Sequence, residues 1–337
     1  MEIQAVLNIV RSLAPEELQA GWDNSGVQVS GVADRADKVA VTLEPTPEAV
    51  ARCLDWGASL VVTHHPLYMK PKAPTGGAYL DVLRACIRAD AWLYAAHTSL
   101  DSAPEGPAFW LGDDLGLQNR RVLEPGTATT PIEVSFYAPK PLGREDGERW
   151  ADREGVHSVS QSAAGEVRLI VERDAWPFVS EAIAFGQGER PEFYIRELVE
   201  PRTVAGLGEA GELPEELSFD DFMQRLHDLT GRRYLPHCGP RPETVRTVAY
   251  CGGSGSSLAN RASGADVFVT GDMKYHPAVD AGTEGSVCII DAGHFSIEEE
   301  MMRRFAAELG AALEGVEVRF FPGEDPFRWS VAKNKDG

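Results

Sequence analysis

A chain of 337 residues, 43% hydrophobic and 25% charged, has room for one large or two moderate domains and can bury a sizeable core. Its formal net charge of −20 repels phosphate backbones, and no basic cluster is present to offer nucleic acid a face. No apolar run reaches the ~18–20 residues that span a bilayer, and the start, Met1-Glu2-Ile3-Gln4, lacks the basic and apolar segments of a secretory signal.

Cys53, Cys86, Cys238, Cys251 and Cys288 form no CxxC pair and are odd in number, which excludes a disulfide framework or zinc knuckle and fits a reducing cytoplasm. In chain order, Ile3, Val6, Leu7, Val10 and Leu13 follow helical spacing that Pro15 ends. Val39–Leu43 reads as a strand, Thr46 as the N-cap of a helix with Pro47 in its first position, Ser59–Thr63 as a buried strand, Leu80–Ala89 as a helix and Trp92–Ala96 as a strand. From Pro131 the texture changes: strand Ile132–Tyr137, polar helix Glu145–Glu154, strand Glu166–Val171, helix Trp176–Ala184 and strand Phe193–Val199. The first texture resumes with helix Phe219–Leu229 and strands Val245–Tyr250, Ala265–Thr270 and Val287–Ile290. Ser296 with Glu299 has the spacing of a capping box for a helix running to Leu313, Val316–Phe321 is a last strand, and 333–337 a frayed tail. The expected fold is therefore α/β: a layered main domain built from residues 1–129 and 204–337, with a small α+β domain, 130–203, inserted between them.

Five motifs begin where an apolar strand stops: Thr63-His64-His65-Pro66, His97-Thr98-Ser99-Leu100-Asp101, Gly252-Gly253-Ser254-Gly255, Thr270-Gly271-Asp272-Met273-Lys274-Tyr275-His276, and Asp291-Ala292-Gly293-His294 followed by Glu298. Ligands of open α/β sheets bind outside the carboxyl ends of strands, so side chains at several such ends can converge. Five of the eight histidines fall in these motifs, and imidazole with carboxylate suits Zn, Mn, Fe, Co or Ni. On extended backbone His64 and His65 point to opposite sides, so either each serves a different metal or one is a ligand and the other packs. His294 and Glu298, four apart across a helix start, can reach one site, and a carboxylate such as Glu298 can bridge two ions. His97 is either a ligand or a hydrogen-bonded support. The Gly252–Gly255 turn either offers backbone N–H groups to an anion or is a tight strand-to-helix turn. Trp22 is read as core in preference to a stacking surface for a planar ligand, Asp23 and Asn24 as caps or pocket lining. Lys70, Lys72 and Lys274 flank the histidine motifs and would gather positive charge there.

These motifs, in this order and together with Gly21-Trp22-Asp23-Asn24-Ser25-Gly26-Val27-Gln28-Val29, resemble those of the Nif-three-like dinuclear metal family, also called GTP cyclohydrolase I type 2. The resemblance implies two divalent metal ions held by His64, His65, Asp101, His294 and Glu298, a toroidal homohexamer and, in longer members, an inserted middle domain. Ser99, Ala108, Pro277 and Ile297 depart from the family's usual residues but spare the ligand set. The implied function is metal-dependent hydrolysis of a nucleotide-like or phosphorylated small molecule, with His97 or His276 moving protons. The alternative is a noncatalytic metal-binding, metal-delivery or assembly protein.

Overall fold

The structure, a computed structural model, describes residues 1–330 except 71–72, 139–141, 154, 201, 284, 286 and 329; the expected tail, 333–337, lies outside the described residues, as do Lys72 and the last residue of the expected helix ending at Glu154. It is mixed α/β, as the alternation of strands and helices predicts. Its residues group into two compact units: Met1–Gly126 with the chain from Ala205 onward, and Thr127–Val204.

The first unit carries two sheets. One orders its strands Gly26–Val29, Trp92–Ala95, Leu60–Thr63, Lys38–Thr42 and Glu317–Phe320, all parallel except the antiparallel edge strand Gly26–Val29. The other places the parallel strands Cys288–Asp291, Val267–Thr270 and Thr244–Tyr250 side by side, with antiparallel His237–Cys238 beyond the first and antiparallel Thr203–Ser218 beyond the last, next to Gln118–Thr129. Parallel strands are covered on both faces and so are continuously apolar. Leu60–Thr63 and Val267–Thr270 are buried at every position. The expected helix start at Thr46 is present: its hydroxyl accepts from the Ala49 amide at 3.2 Å and Pro47 opens the helix Pro47–Asp55.

Helix His294–Ala312 belongs to the same core as both sheets. Met301, Met302, Phe305 and Leu309 are buried among Leu60, Val62, Val269 and Ile290, and full burial of each such side chain stabilises by roughly 1.5–3 kcal/mol. Trp110 fixes the helix axially by donating from Nε1 to the Ile297 carbonyl at 3.1 Å. The helix does not begin at the expected capping box. The Ser296 hydroxyl turns back to the carbonyls of Ala292 (2.5 Å) and Gly293 (3.0 Å), while Glu299 accepts from the Gly323 amide at 2.7 Å. Gly293 is the N-cap instead, at φ 81°, and the helix opens at His294. That earlier start puts His294 and Glu298 one turn apart on the same helical face.

The second unit is a four-stranded antiparallel sheet ordered Val156–Gln161, Glu166–Val171, Ile132–Tyr137 and Tyr194–Glu197. Helices Arg144–Ala151 and Trp176–Gln187 supply Trp150, Val179 and Ile183 to a core shared with Val134, Phe136 and Leu169 of the sheet. Strand Val156–Gln161 was not expected; its sequence, VHSVSQ, is mostly exposed and carries little apolar signal.

Candidate metal centre

The five motifs sit at the carboxyl ends of the parallel strands of the first unit's two sheets. His64 and His65 follow Leu60–Thr63, and His97 follows Trp92–Ala95. Gly252 follows Thr244–Tyr250, Asp272 follows Val267–Thr270, and His294 follows Cys288–Asp291. Their side chains meet in two overlapping groups, His64 with His65 and His97, and His65 with His294 and Glu298; within each, the ligand-capable atoms lie within 4.8 Å of one another. Adjacent His64 and His65 do not diverge. The amides of both donate to one carbonyl, Leu43, at 3.1 and 3.2 Å, and this bend brings the two rings to the same side, 5.0 Å apart.

Three of the four imidazoles are held from behind. His64 donates from Nδ1 to the Ala96 carbonyl at 2.9 Å, His97 from Nδ1 to Asp23 at 2.6 Å and His294 from Nδ1 to Asp272 at 2.6 Å. A carbonyl can only accept, so the His64 proton is on Nδ1 and Nε2 faces the cluster. His65 Nδ1 lies 2.8 Å from Glu44 Oε1, at an angle poor for a hydrogen bond. On the inner side, Nε2 of His64, His65 and His294 are 3.6, 3.3 and 2.8 Å from the Glu298 carboxylate, and Asp101 Oδ1 is 3.8 Å from His64 Nε2. His64 Nε2, His294 Nε2 and Glu298 Oε2 are buried without a hydrogen-bond partner. Unpaired buried polar atoms cost free energy. Imidazole and carboxylate atoms facing one point, with their other ring nitrogens anchored outside, fit a divalent transition-metal ion.

The charges are strongly coupled. Burial acts to lower His64, but the Asp101 and Glu298 carboxylates raise it to about 9. Burial acts likewise on His294, and Glu298 with Asp272 raises it to about 10. For Glu298, burial works to raise the carboxyl, but the imidazoles of His64, His294 and His65 hold it well below the usual range. Asp101, on the flank, is raised by its burial. Cationic imidazoles in the metal-free protein thus occupy the electrostatic place of a metal ion.

Two cavities flank the cluster, and His65 and His294 line both. One of about 740 Å³ also touches Arg232, Phe295 and Phe327; the other, about 280 Å³, touches Trp22, His97, Asp101, Tyr250 and the Gly252–Gly255 turn. Trp22, read from sequence as core, is 61% exposed and sets its ring edge toward His97 at 5.8 Å. His276 is exposed on helix Tyr275–Thr283 against its neighbour Tyr275 and lines neither cavity. Lys70 and Lys274 are exposed and line neither cavity.

Three carboxylates, Asp23, Glu44 and Asp272, stand behind the imidazoles; Asp23 was expected as a cap or pocket lining and Asp272 lay in a strand-end motif, but no sequence signal gave any of them this role, and Glu44 was not singled out at all. Asp23 is the most constrained: its buried side chain accepts from His97 Nδ1, the Asn24 amide (2.6 Å), the Ser25 hydroxyl (2.8 Å), and the Thr98 amide (3.0 Å) and hydroxyl (2.5 Å). Burial would raise its carboxyl, but the bonds from His97, Thr98 and Asn24 hold it far below the ordinary range. Asp272 adopts φ 54°, uncommon outside glycine, to reach His294. A signal for it was present, an Asp directly after a strand-ending Thr-Gly, but its partner is 22 residues away.

A protein-family model described as Duf34/NIF3 (NGG1p interacting factor 3) matches residues 1–326. Proteins named GTP cyclohydrolase 1 type 2 homolog are similar along nearly the whole chain. That of Halalkalibacterium halodurans is 26% identical, covering 92% of this chain and 93% of its own, and that of Listeria monocytogenes is 27% identical, covering 95% and 97%. The crystal structure of a Bacillus cereus protein related to NIF3 matches with a TM-score of 0.82 at 27% identity, over 98% of this chain and 99% of that one.

Proposed function

The chain belongs to the DUF34/NIF3 family, and from that premise we propose that its cluster holds two divalent metal ions and that the protein is a metal-dependent hydrolase of a nucleotide-like or phosphorylated small molecule. The observation that carries the reading is the set of Nε2 atoms of His64, His65 and His294 around the buried Glu298 carboxylate, with His64 and His294 anchored through Nδ1 by Ala96 and Asp272. His64, His65, Asp101, His294 and Glu298 are the proposed ligands, with Glu298, within reach of three imidazoles, as the shared one. Bound there, such ions supply Lewis-acid polarisation of a carbonyl or phosphoryl oxygen and activation of water.

His97 is the proposed proton-moving residue. Asp23 fixes its ring and leaves Nε2 toward the smaller cavity, the arrangement in which an imidazole accepts a proton while the carboxylate stabilises the resulting cation. His276 is withdrawn from that role, since its exposed ring lines neither cavity. Trp22 stands against His97 in a T-shaped contact, with ring centroids 5.8 Å apart. The name carried by the relatives, GTP cyclohydrolase 1 type 2 homolog, supplies one substrate to test.

The test is metal analysis of protein purified without chelators, followed by screening against GTP, phosphodiesters and cyclic amides. Two metals per chain and hydrolysis of one class are expected, and Glu298→Gln should lower the content well below two while the far-ultraviolet spectrum is kept. Full occupancy in that variant removes Glu298 from the ligand set. Two metals without turnover on any substrate would favour the metal-delivery or assembly role.

A further inference from the structure

The smaller cavity has a wall that the ligand set does not use. Tyr250 ends strand Thr244–Tyr250 and is 1% exposed, yet its hydroxyl has no hydrogen-bond partner. Tyr250 lines the cavity with Asp101, His294 and Glu298, and its hydroxyl lies 3.7 Å from where a Cβ on Gly252 would stand. The chain then turns through Gly252, Gly253 and Ser254, whose backbone N–H groups donate to no acceptor among the described residues. Gly253 is buried, Gly252 half-buried and Ser254 exposed. Buried N–H and O–H groups are normally paired; the Tyr250 hydroxyl and the amide of buried Gly253 have no acceptor among the described residues, and Gly252, Gly253 and Ser254 line the same cavity as Tyr250.

We propose that the Tyr250 hydroxyl and the amides of Gly252–Ser254 form an oxyanion subsite, which receives a phosphate-like group of the small molecule handled at the neighbouring cluster; this rests on the metal-dependent reading above. The hydroxyl and the three amides can each donate a hydrogen bond. Burial, reinforced by Cys251, Glu209, Asp101 and Glu298, pushes the Tyr250 phenol far up, so it keeps its proton and only donates toward an acceptor. Two or more oriented donors are what a tetrahedral oxyanion takes. Asp101 and Glu298 line the same cavity and repel an anion until their charge is balanced, so oxyanion binding should depend on metal. The cavity of about 280 Å³ admits a small polar group, and the larger one beyond His65 and His294 leaves room for the rest of the molecule.

The test is isothermal titration of inorganic phosphate into metal-loaded and metal-free protein, wild type and the variants Tyr250→Phe and Gly252→Ala, with metal content measured on the same samples. Gly252→Ala places a methyl beside the hydroxyl, and its closest neighbour, Ile297 Cγ2, is 3.3 Å away. Metal-loaded wild type should bind phosphate, and each variant should weaken it about tenfold or more at unchanged metal content. Tyr250→Phe should melt at the same temperature as wild type or higher, because the hydroxyl it removes has no partner. Phosphate bound equally by wild type and both variants overturns the subsite and means phosphate meets the metals alone. Absence of phosphate binding in both the loaded and the metal-free wild type overturns it too. Wild type that takes up no metal sinks the metal reading separately, and the subsite then stands or falls on the metal-free titration.

Discussion

Gly253→Ala should damage the metal centre far more than the fold. Gly253 has φ 58°, and a Cβ there would lie 2.3 Å from Glu298 Oε1 and 3.5 Å from its Cδ. The backbone penalty for alanine in the left-handed region is about 1–2 kcal/mol. The contact itself is with a side-chain tip, which can move, but Glu298 has little room: it is buried, and the Nε2 atoms of His64, His65 and His294 stand 3.6, 3.3 and 2.8 Å away. The carboxylate must therefore rotate out of the position all three imidazoles face. Displacing one group that orients a metal site typically costs ten- to hundredfold in affinity, roughly 1.4–2.7 kcal/mol. Gly264→Ala is the control, since Gly264 has φ 95° and nothing lies within 4 Å of its Cβ position. It carries the backbone penalty without the contact. Urea unfolding in chelator measures the first term, and competition with a chromophoric chelator measures the second. Both variants should lose similar stability, and only Gly253→Ala should lose metal. Wild-type affinity in Gly253→Ala, or equal loss in both, would refute this placement of Glu298.

Asp23→Asn replaces one accepting oxygen by an amide that cannot accept from Thr98 or His97, and should cost roughly 2–3 kcal/mol in urea unfolding; an unchanged midpoint would mean the buried network contributes nothing. His64 and His294 stand at about 9 and about 10 without metal, above the unfolded value of about 6.5. Their contribution to metal-free stability is therefore full below about pH 6.5 and lost as pH rises through those folded values. Metal uptake near neutral pH must expel these protons, so its calorimetric heat should vary with buffer ionisation enthalpy and its affinity should rise between about pH 6 and 8; heat independent of buffer would contradict protonated ligands. Replacing residues 127–204 by a short flexible linker should leave a soluble metal-binding protein, because strands Gln118–Thr129 and Thr203–Ser218 are hydrogen-bonded neighbours whose separation, about 5 Å, a few residues bridge. An insoluble product that cannot be refolded would show that the excised unit completes the larger core.

What sequence could reach was set by where each signal resides. Leu60–Thr63 and Val267–Thr270 are legible because strands covered on both faces must be apolar throughout. Gln118–Thr129 is not, since most of its positions are exposed, and neither is Thr203–Ser218, whose buried positions are mainly glycine and alanine and carry little apolar signal; the pairing of distant segments leaves no local mark. The five motifs announce themselves by residue type at strand ends, and the structure gathers His64, His65, His97, His294 and Glu298 within a few ångströms. His276 shows where motif membership fails: it follows the same strand as Asp272, but the helix Tyr275–Thr283 has begun, and its ring is carried outward. Ser296 and Glu299 show the same limit in capping, where correct spacing was overruled: the Asp291 carboxylate takes the Gly293 amide at 2.8 Å and the N-cap falls at Gly293, three residues earlier. The least legible feature is the ring of groups that aims the histidines. Ala96 acts through its backbone, Glu44 and Asp272 through strand-end loops, and Asp23 from 74 residues before its partner His97. A carboxylate's role as an orienting group is a property of distance to an imidazole nitrogen, and distance exists only once the sheets have brought their carboxyl ends together.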